Sequence, residues 1–336
     1  MRLGRSKSKP VEVGRRAPVI GAALLVALRL TSAPFDAHAQ WLPAYRSISP
    51  IMASRSALGF QPLVASDSRW HGGFQFDYGN VLEQQTRPHA DLVLDGELMR
   101  AELTLGRSFG RWFTHGALSV ESAQRGKLDG FINWWHGVFG FSEAVREARP
   151  EGLYEFLIAL SDTDSLFREQ GGLALGDARI TVGYQHARNW QTSLIVSLPT
   201  NGRPTGWGLQ TIALGLTTTA RAELAKTRLF WEGSLGLGYT PTSGDLSEYQ
   251  RTTFVNGSSG FRLRLIGQQA IYGNLILHSA AWKNTTLPAL DKLDVSLDFG
   301  FLLKPGNGPE IILGMVEDPY AFGPAVDMVL RAGMRW

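Results

Sequence analysis

The feature that most constrains this chain is a period of two that runs from about residue 70 to the last residue. In the closing stretch one face carries Val326, Met328, Leu330, Ala332, Met334 and Trp336, and the other carries Asp327, Arg331 and Arg335. Successive side chains of a strand point to opposite faces, so such a segment lies between oil and water. Leu293, Val295, Leu297, Phe299 and Phe301 repeat the pattern against Asp294, Ser296, Asp298 and Gly300. So do Leu194, Val196 and Leu198 against Ser193 and Ser197, and Phe261, Leu263 and Leu265 against Arg262 and Arg264.

The pattern predicts strands near 68–79, 92–106, 111–121, 172–185, 190–199, 207–220, 226–239, 252–266, 270–281, 291–303, 309–317 and 325–336. Their connections alternate short and long: 107–110, 186–189, 221–225, 267–269 and 304–308 are short, and 80–91, 122–171, 200–206, 240–251, 282–290 and 318–324 are long. Short turns on one side and longer loops on the other are the signature of a transmembrane antiparallel up-and-down β-barrel, with an even count of about 12 strands. A soluble sandwich gives no reason for that alternation. Alternating faces cancel in hydropathy, which explains a mean of −0.07 in a membrane protein. No stretch after the N-terminus reaches about 18 apolar residues, which excludes a helical bundle. Aromatic residues gather near strand ends, as interfacial belts require. Trp112, Tyr184, Trp190, Tyr272, Phe301 and Trp336 fall near short turns, and Tyr78, Trp207, Tyr239, Phe254 and Trp282 near long loops.

Residues 1–39 read as a cleaved signal peptide. Arg2, Arg5, Lys7, Lys9, Arg15 and Arg16 are basic, residues 17–28 are apolar, and Ala37-His38-Ala39 fits a small-x-small cleavage site. Residues 40–67 lack alternation and are expected to lie in the periplasm or to plug the lumen, with the barrel over 68–336. The chain has no cysteine, which excludes disulfides, thiolate metal sites and the lipid-modified cysteine of a lipoprotein. A net charge of +3 gives little reason to expect nucleic acid as a partner.

Several segments resemble the outer-membrane family catalogued as domain of unknown function 3187. The most specific is Leu128-Asp129-Gly130-Phe131-Ile132-Asn133-Trp134-Trp135-His136-Gly137-Val138-Phe139-Gly140-Phe141, supported by Leu175-Gly176-Asp177, Leu198-Pro199-Thr200 and Glu317-Asp318. Residues 142–170 depart from the family pattern. The resemblance implies an outer-membrane barrel and supplies no activity.

Arg100, Glu102, Glu121, Asp177, Arg179, Glu232, Arg262, Arg264, Asp294, Asp298, Arg331 and Arg335 fall on the inferred lumen face. Facing lipid, an Arg or Lys at mid-depth costs about 2–4 kcal/mol, so inward placement is expected. These residues either filter solutes or pair into a stiff, packed interior. In the long external loop, 128–141 has helical spacing, with Phe131, Trp134, Trp135 and Phe139 as candidate contacts. The expectation is a short helix at the external mouth, either as a lid or against the outer leaflet. Trp336 closes an alternating strand and reads as the signal for the barrel-assembly machinery. Enzymatic readings are thin. His278-Ser279 and a lone lumen-facing His115 are the nearest features to a lipid hydrolase, and no P-loop, zinc-ligand or dinucleotide pattern occurs. No catalytic residue, metal or cofactor is expected. The leading function is a channel or transporter for small, including apolar, solutes. The alternative is a structural or assembly protein. Expected partners are outer-membrane lipids, the assembly machinery and a small-molecule solute.

Overall fold

The computed structural model describes residues 42–60, 64, 70–139, 150–161, 165–167, 171–200, 208–225, 228–244, 246–306, 308–319 and 327–336. The proposed signal region, Trp207 and residues 140–149 lie outside them. The strands are β1 (Trp70–Arg87), β2 (Ala90–Phe109), β3 (Trp112–Gln124), β4 (Glu155–Ala159), β5 (Ser165–Phe167), β6 (Gly171–Leu175), β7 (Ala178–Ala187), β8 (Trp190–Leu198), β9 (Ala213–Ala225), β10 (Leu229–Tyr239), β11 (Thr253–Arg264), β12 (Ala270–His278), β13 (Asp294–Leu303), β14 (Glu310–Glu317) and β15 (Met328–Arg335). Among the described residues three α-helices accompany them: α1 (Pro50–Ala53), α2 (Asp129–Phe139) and α3 (Pro288–Asp291).

Twelve strands, β1 to β3 and β7 to β15, pair antiparallel in chain order and close into a ring. The seam joins β1 to β15 from Gly73↔Arg335 to Asn80↔Met328. Beyond it, Trp336 and Gly72 exchange two backbone hydrogen bonds of 3.0 Å. Closure leaves the ring no unpaired edge, the condition for strands to cross a bilayer.

Burial is inverted relative to a soluble protein. Leu103, Leu118, Leu194, Leu216, Leu235 and Leu275 stand exposed on the outside. Asp77, Arg100, Ser193, Asn256, Asp298 and Arg331 are buried inside. The register keeps the two sets apart: Leu103 faces Leu118, and Leu194 faces Leu216, whereas Asp77 faces both Arg100 and Arg331. A one-residue slip would turn every charge to lipid, so the pattern fixes the pairing.

All twelve expected strands are present, and four details differ. The expected loop 80–91 is a hairpin, because β1 and β2 stay paired down to Arg87↔Ala90 with His89 at φ 65°. The segment Glu83-Gln84-Gln85-Thr86-Arg87 carries no apolar outer face, which removes the cue that marked the other strands. The expected strand 172–185 breaks at Gly176-Asp177 into β6 and β7, both paired with β3. The long loop contains a hairpin, β4–β5, which pairs with β2. Finally, Tyr272, Phe254 and Trp282 are buried inside rather than in the interfacial belts.

Candidate functional site

Eight strands make a barrel just wide enough for wall side chains to fill, and sixteen leave an aqueous channel. A twelve-stranded wall therefore encloses more space than its own side chains occupy. Here residues 42–60 and Val64 meet inward-facing groups at every height. Near the short turns, Leu42 packs with Ala270, Tyr272, Leu302 and Ile312, and its carbonyl accepts Arg335 Nη1 at 2.5 Å. Higher up, the Tyr45 hydroxyl donates to Ser296 Oγ at 3.1 Å. Arg100 donates to the carbonyls of Arg46 (2.7 Å) and Ser47 (3.0 Å).

Near the long loops, Ile51 and Met52 of α1 enter a cluster with Leu92, Leu94, Trp282, Leu287 and Leu290. There Arg55 Nη2 donates to the carbonyls of Thr240, Pro241 and Arg251 at 3.1–3.2 Å. The segment then turns back. Phe60 and Tyr45 exchange two backbone hydrogen bonds of 2.8 and 3.1 Å. Val64 bonds Gln185 and Gln191, which flank the short turn between β7 and β8. Among the described residues its backbone pairs with itself and forms no ladder with the wall.

The wall is shaped to this segment. Gly215 and Gly238 face each other across β9 and β10. A Cβ at either would come within 2.8 Å of the Leu58 side chain, and one at Gly260 within 2.7 Å of Leu42. Two cavities beside the segment, lined by described residues, are small. One of about 50 Å³ is lined by Ala44, His71, Thr104, His115 and Arg335. Another of about 10 Å³ lies between Tyr45, Arg46, Ser296 and Arg331. These hold a few waters at most.

The expected lumen charges are brought together in clusters. Asp77 accepts from Arg100 at 2.6 Å and from Arg331 at 2.9 Å, and Arg331 also reaches Asp298 at 2.5 Å. Tyr272 donates to Asp298 at 2.9 Å. Glu102 accepts from Arg179 at 2.5 Å and Arg46 at 3.4 Å, and Arg46 stands 3.7 Å from Glu121. Glu310 takes both Arg262, at 2.7 Å, and Arg335. The remaining residues have local partners. Asp177 accepts the Leu209 amide at 2.8 Å, Ser296 donates to Asp294 at 3.1 Å, Glu232 stands opposite Arg221 in the register, and Arg264 lies 5.5 Å over the Phe230 ring. Sequence reasoning missed Asp77 and Glu310, which period two could have found, and Arg46, which has no periodic signal.

His115 is not alone, since its Nε2 lies 3.1 Å from His71 Nε2. The His278 imidazole ties wall to segment, with Nε2 at 2.7 Å from Ser56 Oγ and Nδ1 at 2.7 Å from the Ser279 carbonyl. Helix α2 forms as the spacing predicts, but it does not rest on the inner rim of the mouth. Its N-terminal end is bonded to outward-facing residues of β1 and β2. Phe131 and Trp134 are exposed, Trp135 is half-buried, and the Phe139 side chain lies outside the described residues.

The family model described as "Protein of unknown function (DUF3187)" matches residues 47–336. No curated protein matches the sequence. Among solved structures, the chain is similar to an outer membrane channel from Pseudomonas putida F1, with 10% identity and TM-score 0.47 over 80% of this chain and 96% of that one. It is also similar to the NanC porin, with 8% identity and TM-score 0.44 over 80% and 99%. A third is the Pseudomonas putida toluene transporter TodX, with 9% identity and TM-score 0.39 over 88% and 97%.

Proposed function

From the premise that this chain belongs to the DUF3187 family and folds as an outer-membrane barrel, we propose that it is a channel for small solutes closed by its own N-terminal segment. The observation that carries this reading is the way residues 42–60 and Val64 occupy the interior. Wall and segment are joined by side-chain hydrogen bonds, ion pairs and apolar seating rather than by a β-ladder. Such a segment can leave as a unit without opening the ring, and what it vacates is a conduit lined by polar and charged groups. The tip of the segment, Ile51-Met52, sits in an apolar chamber at the external mouth. A small apolar solute suits the same chamber and would compete with that tip.

In this reading residues 1–39 are the cleaved signal, 40–67 the plug and 68–336 the barrel. Lipids of the outer membrane surround the belt, and the assembly machinery reads the strand ending in Trp336. The interior charges serve twice, pairing to hold the wall and offering Arg100, Arg335 and Glu102 to the plug. The Ser56–His278 contact is a tie between plug and wall in this account, and the chain is not a hydrolase.

The test is recording in planar bilayers with the chain from residue 40 onward. A plugged channel gives a mostly closed baseline with resolved openings. Folded, inserted protein that never opens under any applied voltage counts against a channel and favours a structural role.

A further inference from the structure

The outward face of the wall bears on what α2 does. Asn80, Glu97 and Gln124 are consecutive partners across β1, β2 and β3, so they form one row at one height. They share a face with Leu103 and Leu118, which lie lower on the same strands and belong to the exposed apolar belt. This row is where the belt gives way to polar side chains at its external border.

The chain leaving β3 folds back onto that row. Glu97 accepts the backbone amides of Lys127 and Leu128 and the Tyr78 hydroxyl. Asn80 donates to Asp129 at 2.8 Å, and the Gly152 amide reaches the other Asp129 oxygen at 2.8 Å. Gln124 donates to Tyr78 at 3.2 Å. Ile132 is fully buried beneath the helix. These bonds fix α2 outside the ring, on the lipid side of the wall, at the border of the belt.

The residues α2 turns away from its buried Ile132 are Phe131, Trp134 and Val138, which are 41%, 59% and 58% exposed. They follow the i, i+3, i+4 spacing of one helical face. The Phe131 and Trp134 rings lie tilted against each other at 5.7 Å. Beside this face Arg125 and Lys127 are exposed at the foot of the helix. An exposed aromatic face flanked by cations, continuous with a lipid-facing belt, is how an interfacial helix engages a bilayer surface.

We propose that α2 lies in the interface of the outer leaflet, with Phe131, Trp134 and Val138 among the acyl chains and Arg125 and Lys127 against lipid phosphates. The contact anchors the external end of β1–β3 at a fixed depth. It rests on the belt and the register, and it holds whether or not the barrel conducts.

The absence of native cysteine makes the test clean. Val138→Cys carries an environment-sensitive fluorophore in vesicles containing lipids brominated near the headgroup. Thr242→Cys, exposed in the external loop between β10 and β11, is the control. The expected result is blue-shifted emission at 138, quenched several-fold more than at 242. Exchanging Arg125 and Lys127 together for Glu should reduce that quenching in anionic vesicles and leave it unchanged in neutral ones. Emission at 138 matching that at 242 would overturn the proposal, because the face would then be in water. Efficient Val138→Cys cross-linking between chains, without quenching, would overturn it in favour of a second copy as the occupant.

Discussion

Deleting residues 42–64, with the proposed signal and the barrel kept, converts a mostly closed protein into one with sustained conductance. The wall keeps its ring closure, because none of the segment's described residues contributes a strand to it. The Asp77–Arg331–Asp298 and Arg262–Glu310–Arg335 clusters keep their wall partners. What is lost is the apolar filling from Leu42, Ile51, Met52, Leu58 and Phe60, together with the cations Arg46 and Arg55. Removing Arg46 takes one cation from Glu102 and the cation nearest Glu121. The open lumen therefore gains negative character, and cations should pass in preference to anions. Planar-bilayer conductance and reversal potential in a salt gradient read both effects. A deleted protein that folds and inserts yet stays silent would mean that the wall side chains close the lumen themselves.

A second large effect is expected at Arg331. Its guanidinium joins Asp77 to Asp298, and all three are almost fully buried. Arg331→Gln leaves Asp298 with only the Tyr272 hydroxyl and Asp77 with Arg100 among these partners. Stranding a buried carboxylate costs about 3–5 kcal/mol. The midpoint of urea unfolding in lipid vesicles should fall accordingly. Adding Asp298→Asn should recover a large part of the loss, because the stranded charge is then removed. Arg100 would also lose orientation through Asp77, loosening its hold on the carbonyls of Arg46 and Ser47. A loss below about 1 kcal/mol, typical of exposed pairs, would show that water reaches the cluster.

The wall was legible because a bilayer imposes a strict rule on each strand. Charges on Arg331 and Arg335 cannot face lipid, so parity alone places them, and the same parity places Leu330 outside. Used further, the rule would have turned Tyr272 inward, since Ile271, Gly273 and Leu275 lie on the other face of its strand. Aromatic enrichment near strand ends obscured that. Where the bilayer stops, the rule stops too. The β1–β2 hairpin beyond the belt meets water on its outer side, so Glu83 to Arg87 show no alternation and read as a loop. The plug was legible only as one of two places for residues 40–67, for a related reason. Residues 42–60 are surrounded by wall, so no face of the segment is distinguished and no period arises. Arg46 and Arg55 looked like ordinary polar residues. Helix α2 was found from its 3.6-residue spacing. Its docking side was not, because the row Asn80–Glu97–Gln124 exists only once three strands are in register.

The most direct measurement uses a reversible lock between plug and wall. A Cβ at Gly238 would lie 2.8 Å from Leu58 Cγ, close enough for a disulfide between cysteines at the two positions. The Leu58→Cys, Gly238→Cys protein is inserted oxidised into a planar bilayer, and a reductant is added while current is recorded. If the N-terminal segment is the gate, the oxidised protein is silent and openings begin once the disulfide is cut. The same record before and after reduction, whether silent or conducting, would contradict the account.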